Sequence, residues 1–226
     1  MIGTLGEKTL HAALKMHFEP DISNHEVKVG SYVADIMTDK GIIEIQTRAL
    51  DKLRSKLTVF LEEHPTTVVY PIPAKKWLIW IDALTDTETK KRKSPKQGTI
   101  YDAIMELYKI RLLMNHPNFI LCLVMIDIEE YRYLNGWSDD KKRGSTRCDR
   151  VPIDIVETVY FRKPVDYLKF IPSGLPDKFT SKDLQIAANI NSRTSQTVLN
   201  ILNYIGIVER VGKQSRSYVY QRSFGC

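Results

Sequence analysis

Glu7, Asp35, Glu44 and Gln46 have the residue types and spacing of a hydrolytic site. Residues 42–46 read as a strand in which Glu44 and Gln46 share one face while Ile43 and Ile45 share the other. Asp35 sits in the preceding apolar run, and Asp39, Lys40 and Gly41 between the two runs form a turn suited to neighbouring antiparallel strands. Such pairing would bring Asp35 and Glu44 toward one metal ion. Glu7 shares a helical stripe with Leu10, His11 and Leu14, so the helix that buries those leucines should turn Glu7 toward the same sheet. Simpler roles also fit: Asp35 could cap a strand end, and Glu44 could pair with Arg48 or Lys8. His11, although it follows Glu7 by one turn, is assigned to packing.

The elements that must hold these groups follow from periodicity. A helix is expected over 4–18, ended by Pro20, then two strand-like segments over 25–38 and the 42–46 strand. Leu50, Leu53, Leu57, Phe60 and Leu61 recur at helical spacing between Arg48 and Glu63. Two strands follow at 66–72 and 76–82, then an exposed basic loop over 83–98, a helix over 99–114 and a strand over 119–128. A polar, mobile stretch is expected over 135–150 and a further strand over 150–162. Pro164, Pro172, Gly174 and Pro176 mark a domain boundary, dividing the chain into 1–163 and 164–226.

The second part changes character. Thr180 with Asp183 is a helix-start signature for a short helix, and Asn191 to Ser195 opens a second one carrying Val198, Leu199, Leu202 and Ile205. Residues 207–220 then alternate and turn like a β-hairpin, so helix, turn, helix and hairpin make a winged-helix pattern.

Composition narrows the function classes. Three cysteines without a CxxC pair argue against a zinc site or a disulfide framework. The longest apolar run, Phe119 to Ile126, is too short to cross a bilayer, and the first residues lack a signal-peptide pattern, so a cytoplasmic protein with no membrane partner is expected. The net charge of +6 permits an anionic partner, and its location is more telling. Lys90, Lys91, Arg92, Lys93 and Lys96 stand against Glu88 alone, a local net of +4. Residues 164–226 carry eight cations and four acids, again a net of +4.

Glu7 on a first helix, Asp35 on a second strand, Glu44 and Gln46 on a third and a helix directly after resemble the PD-(D/E)XK nuclease superfamily. Over residues 1–82 the resemblance implies an α/β fold with a restriction-endonuclease-like α-β-β-β-α-β core, here followed by a C-terminal winged-helix domain. It implies that Asp35, Glu44 and the Ile45 carbonyl hold Mg²⁺ or Mn²⁺, which would lower the pKa of a water and neutralise charge on a phosphate during phosphodiester hydrolysis. Glu7 would orient that water or complete a second site. The superfamily's usual lysine is replaced by Gln46, which can hydrogen-bond a water or phosphate but carries no charge. Some members do use glutamine there. Lys52 and Lys56, four apart on the next helix, could supply the missing cation; Lys28 is a weaker candidate. The whole chain also resembles an uncharacterised bacterial protein group, which implies no activity.

The expected partner is nucleic acid, double-stranded DNA first. The basic loop would hold phosphates. Arg193, Thr194, Ser195 and Gln196 begin the second helix of the tail, where Gln196 could read a base and Thr194 and Ser195 contact phosphate. Arg210, Lys213 and Arg216 on the hairpin would meet the backbone. Winged helices also dimerise, so a homodimer stays open. Two functions follow: a nuclease recruited by its tail, or a non-catalytic DNA-binding regulator on a degenerate nuclease fold.

Overall fold

A computed structural model describes residues 8–82, 84–85, 87–134 and 146–223. Glu7 and the 135–145 part of the polar stretch therefore lie outside the described residues. The fold is mixed α/β. In chain order α1 is Lys8–Phe18, β1 His25–Val29, β2 Tyr32–Thr38, β3 Gly41–Ile45, α2 Arg54–Glu63 and β4 Thr66–Ile81. Then come β5 Arg92–Lys93, α3 Ile104–Ile110, β6 Phe119–Tyr133 and β7 Thr146–Phe161. The tail adds β8 Lys178–Thr180, α4 Ser181–Ala187, α5 Ser192–Tyr204, β9 Val208–Gln214 and β10 Ser217–Arg222.

The large sheet runs β1-β2-β3-β4-β6-β7, with β5 attached to the outer part of β4. β3 lies parallel to β4, and β4 parallel to β6, while the remaining pairs are antiparallel. Both faces are covered, which is why β6 reads as an unbroken apolar run. On one face Leu10 and Leu14 of α1 meet Ile36, Ile45, Val69, Cys122 and Val124. On the other, Leu57 and Leu61 of α2 and Leu107 and Ile110 of α3 meet Val68, Leu121 and Leu123.

Two local features set the geometry around β3. Gly41 has φ +120°, and a Cβ there would stand 2.2 Å from the Pro65 carbonyl oxygen, so only glycine lets β3 start against β4 at this point. The Ile42 N–H donates to that same carbonyl (2.9 Å).

The strands expected at 66–72 and 76–82 are one strand of 16 residues. Val69 accepts the Gln46 N–H (2.9 Å), so odd-numbered residues of β4 turn their backbone toward β3. β3 stops at Ile45, and Pro71 and Pro73 direct their missing N–H groups at the edge it vacates, where no ladder bond is lost. A register shift between Pro73 and Lys76 bends the strand without ending it. β7 likewise begins at Thr146, earlier than periodicity placed it.

The segment after Phe161 is packed. Phe161 stacks on Phe170 with ring centroids 5.1 Å apart, and Tyr167, Phe170, Ile171 and Leu175 are buried. Val198, Leu199 and Leu202 of α5 join the same apolar cluster as α3. Beside it stands a three-stranded sheet in the order β8-β10-β9. Among the described residues, no helix is long and apolar enough to cross a membrane.

Candidate active site

β2 and β3 form a hydrogen-bonded ladder only as far as Ile36 and Ile43. Beyond that pair side chains replace the ladder: the Ile45 N–H donates to Asp35 Oδ2 (2.8 Å) and the Asp35 N–H to Glu44 Oε1 (3.1 Å). The two strands are thus pinned apart by the two acids, and the split opens a cleft of about 500 Å³. α1 reaches it from one face, placing His11 Nε2 3.2 Å from Asp35 Oδ2. α2 reaches it from the other, placing Lys56 Nζ 2.7 Å from Glu44 Oε2.

Burial makes the acids unequal. Glu44 is 1% exposed, and loss of water together with the Asp35 charge pushes its carboxyl up to about 7, against the pull of Lys56. Burial also opposes ionisation of Asp35, but bonds from His11 and Ile45 and the Lys56 charge outweigh it and hold Asp35 below the usual range. The bond to Asp35 raises His11 above an ordinary histidine, partly offset by burial.

Among the described residues, no group of three or more His, Cys, Asp and Glu side chains is arranged to hold a metal ion. The donors present nonetheless suit a hard cation. Mg²⁺ is bound through one or two carboxylates while keeping several waters, so two acids meet its need. A backbone carbonyl adds to them: the Ile45 N–H faces Asp35, and because the N–H and C=O of one strand residue point to the same edge, the Ile45 carbonyl faces that side too. Burial and, after it, the Asp35 charge raise Glu44, so the two acids would also gain from a positive charge between them.

Other expected site residues are placed differently. Gln46 lines the cleft, and its Nε2 donates to the Arg48 carbonyl (2.6 Å) and lies 3.4 Å from the Ala49 carbonyl, so its amide nitrogen holds the following loop. That loop includes Ala49 at φ 54°. Lys52 is exposed at the cleft rim; Lys28 is exposed on β1 and does not line the cleft. His11 is at the site, not simply packed. Lys15, one turn further along α1, lines the cleft and pairs with Glu26, which sequence reasoning missed. The spacing of His11 and Lys15 was the available signal.

The basic loop lies further along the sheet. Lys90 is exposed, Lys91 pairs with Glu129 and lies over Trp77 at 4.9 Å, and Lys96 pairs with Asp102 at 2.8 Å. Arg92 and Lys93 form β5, exposed beside Leu78 and Trp77. In the tail a groove of about 350 Å³ separates α5 from the hairpin, lined by Gln196, Asn200, Arg210, Arg216 and Tyr218. Arg210 and Lys213 pack over the Tyr218 ring at 4.3 and 5.1 Å. Arg193 and Gln196 are exposed and Thr194 half-buried. Ser195 corrects its expected role in phosphate contact: it is fully buried, and its hydroxyl donates to the Ser192 carbonyl (2.9 Å).

Residues 8–162 match a family described as a domain of unknown function (DUF8091), and the chain belongs to that family. A relative from Treponema pallidum (strain Nichols), titled only an uncharacterized protein, is 28% identical over 229 residues, covering 98% of this chain and 87% of its own length. No solved structure matches.

Proposed function

We propose that this protein is a metal-dependent nuclease of PD-(D/E)XK type that hydrolyses phosphodiester bonds in DNA and is recruited to it by a C-terminal winged helix. The observation that carries the reading is the convergence of Asp35, Glu44 and Lys56 in one cleft, each from a different element. The element order α1-β1-β2-β3-α2-β4 agrees with the superfamily's core. Asp35, Glu44 and the Ile45 carbonyl would hold Mg²⁺ or Mn²⁺, which when bound activates water and offsets negative charge on the phosphate. Lys56 supplies, from α2, the cation that Gln46 does not supply from β3, and it faces the phosphate as a compact point charge. His11 Nε2 donates to Asp35 Oδ2 and fixes the orientation of that carboxylate. The exposed start of α5 and the arginines lining the adjacent groove suit a duplex.

The test is incubation of the full chain with plasmid, single-stranded DNA and RNA in Mg²⁺ or Mn²⁺, with Glu44→Ala and Lys56→Ala alongside. Turnover by the wild type that both variants lose supports the proposal. Equal turnover by all three, or none by any, sinks it. A second reading, a non-catalytic DNA-binding regulator, is favoured by Gln46, which carries no charge and whose amide nitrogen bonds the 48–49 carbonyls. DNA binding without turnover would select it.

A further inference from the structure

α1 lays two basic side chains, one turn apart, over two acids on neighbouring strands. His11 meets Asp35 of β2 at 3.2 Å, and Lys15 pairs with Glu26 of β1. Glu26 falls opposite Asp35, between the register pairs His25–Ile36 and Val27–Ala34, so the second pair extends the first toward the β1 edge of the sheet. The four groups sense one another. The Asp35 bond is the main influence that raises His11, while the Lys15 charge opposes that rise and the Glu26 charge assists it.

Lys15 belongs to the cleft and Glu26 does not. The Lys15 side chain is 13% exposed and lines the wall on the α1 side, whereas Lys56 lines the wall formed by α2. Glu26 lies outside that lining, and its side chain is 60% exposed. It also has φ 52°, a left-handed conformation inside a strand. For a residue other than glycine this conformation is unfavourable by more than an exposed ion pair contributes, so the pair alone does not account for it. A retained outlier of this kind points to function. Water can take the Glu26 carboxylate, whereas the Lys15 stem is packed and keeps the ammonium at the wall. Lys15 follows His11 by four residues, about 6 Å along the axis of α1. That offset is comparable with the step between neighbouring phosphates of an extended nucleic-acid strand.

We propose that Lys15 holds the phosphate next to the scissile one, and that the Glu26 carboxylate stands in for that phosphate in the free protein. The inference rests on the nuclease reading of the cleft and adds to it a cation on the wall that Lys56 does not serve. Exchange of Glu26 for the phosphate acts on affinity and KM, and kcat stays with Asp35, Glu44 and Lys56.

The test titrates the full chain with a labelled single-stranded hexanucleotide in EDTA across a salt series, with plasmid cleavage in Mg²⁺ measured in parallel. Lys15→Met keeps the stem and removes the charge. It is expected to weaken binding about 5–10-fold, raise KM by a similar factor and lower the salt slope by about one, and Lys15→Arg is expected to restore all three. Glu26→Gln releases Lys15 and is expected to tighten binding about 3-fold. Lys28→Met, exposed on β1 away from the cleft, is the charge control and should match the wild type. If the pair were only a brace between α1 and β1, breaking it from either side would shift binding in the same direction. Shifts of the same sign, an unchanged Lys15→Met, or no binding by the wild type would overturn the site. Thermal melts report folding, and Glu26→Gln, on the surface, decides by its direction if Lys15→Met unfolds. Opposed shifts without turnover keep the site and reject nuclease chemistry; turnover with unmoved affinity rejects the site alone.

Discussion

Lys56 Nζ lies 2.7 Å from Glu44 Oε2, a pairing of a helix side chain with a strand acid that is 1% exposed. Removing one partner of such a pair usually costs roughly 3–5 kcal/mol, because the other charge stays buried alone. Here Glu44 has an escape, since its carboxyl titrates near 7 and can take up a proton. Lys56→Met is therefore expected to destabilise the protein by only about 1–2 kcal/mol at neutral pH. Metal-dependent turnover should fall by about 100-fold, because the cation facing the phosphate is gone. Lys52→Ala, at the exposed rim, should change stability by less than about 0.5 kcal/mol. Urea denaturation and plasmid cleavage of the same preparations check both.

The acids and His11 set a pH dependence of stability. Glu44 has a folded pKa near 7, above its ordinary 4.5, so the stability it contributes is fully present below 4.5 and is lost as pH rises through 7. His11 is also raised, so its contribution is present below 6.5 and is lost at higher pH. Asp35 is lowered; its contribution is lost only in acid and stays constant near neutrality. Without metal, the melting temperature should fall as pH rises from about 4.5 to about 7, and Glu44→Gln should flatten that fall. Mg²⁺ competes with the proton on Glu44, so its stabilising effect should grow with pH over the same interval. Melts across this range, with and without Mg²⁺, would contradict the assignment if Glu44→Gln kept the wild-type slope.

Gln46 is expected to act through the loop it holds. Its Nε2 donates to the Arg48 carbonyl, next to Ala49 in the left-handed region. A glutamate there has no donor, so Gln46→Glu should cost about 1 kcal/mol and bring a third negative charge to the cleft. Gln46→Lys keeps a donor and should retain stability. If both variants matched the wild type in denaturation, the loop-holding role would be wrong.

The sequence disclosed the acids more clearly than their surroundings. Asp35, Glu44 and the turn at Gly41 were legible because strand alternation and turn chemistry are local. The tail elements were legible for the same reason, through the Thr180–Asp183 capping box and the apolar spacing of α5. What escaped is tertiary. The strands expected at 66–72 and 76–82 are continuous, and nothing local reveals that β3 ends beside Pro71 and Pro73. His11 looked like core because its partner is 24 residues away. The choice between Lys52 and Lys56 depended on where α2 begins: Lys52, expected on the same helix, lies in the 3-10 turn Leu50–Leu53 before it, whereas Lys56 is on α2 and faces Glu44. The ion pairs of buried Glu130 on β6 with Lys76, Arg132, Arg147 and Arg150 join three strands and have no sequence signature.

The start of α5 offers the sharpest separation of structure from binding. Ser195 and Gln196 are neighbours in sequence, yet Ser195 is fully buried and bonded to the Ser192 carbonyl, whereas Gln196 is exposed at the groove beside Arg210 and Arg216. Ser195→Ala removes a buried hydrogen bond and should cost about 1 kcal/mol of stability with no change in duplex affinity. Gln196→Ala should leave stability within about 0.5 kcal/mol, since its one bond, to Ser192 Oγ, is exposed. If the side chain reads a base, that variant loses discrimination between sequences by about 1–3 kcal/mol while its salt slope is unchanged. Arg193→Ala, by contrast, should weaken all duplexes alike and lower the salt slope by about one. Competition binding with unrelated duplexes distinguishes these outcomes, and identical profiles for the three variants would remove α5 from the nucleic-acid interface.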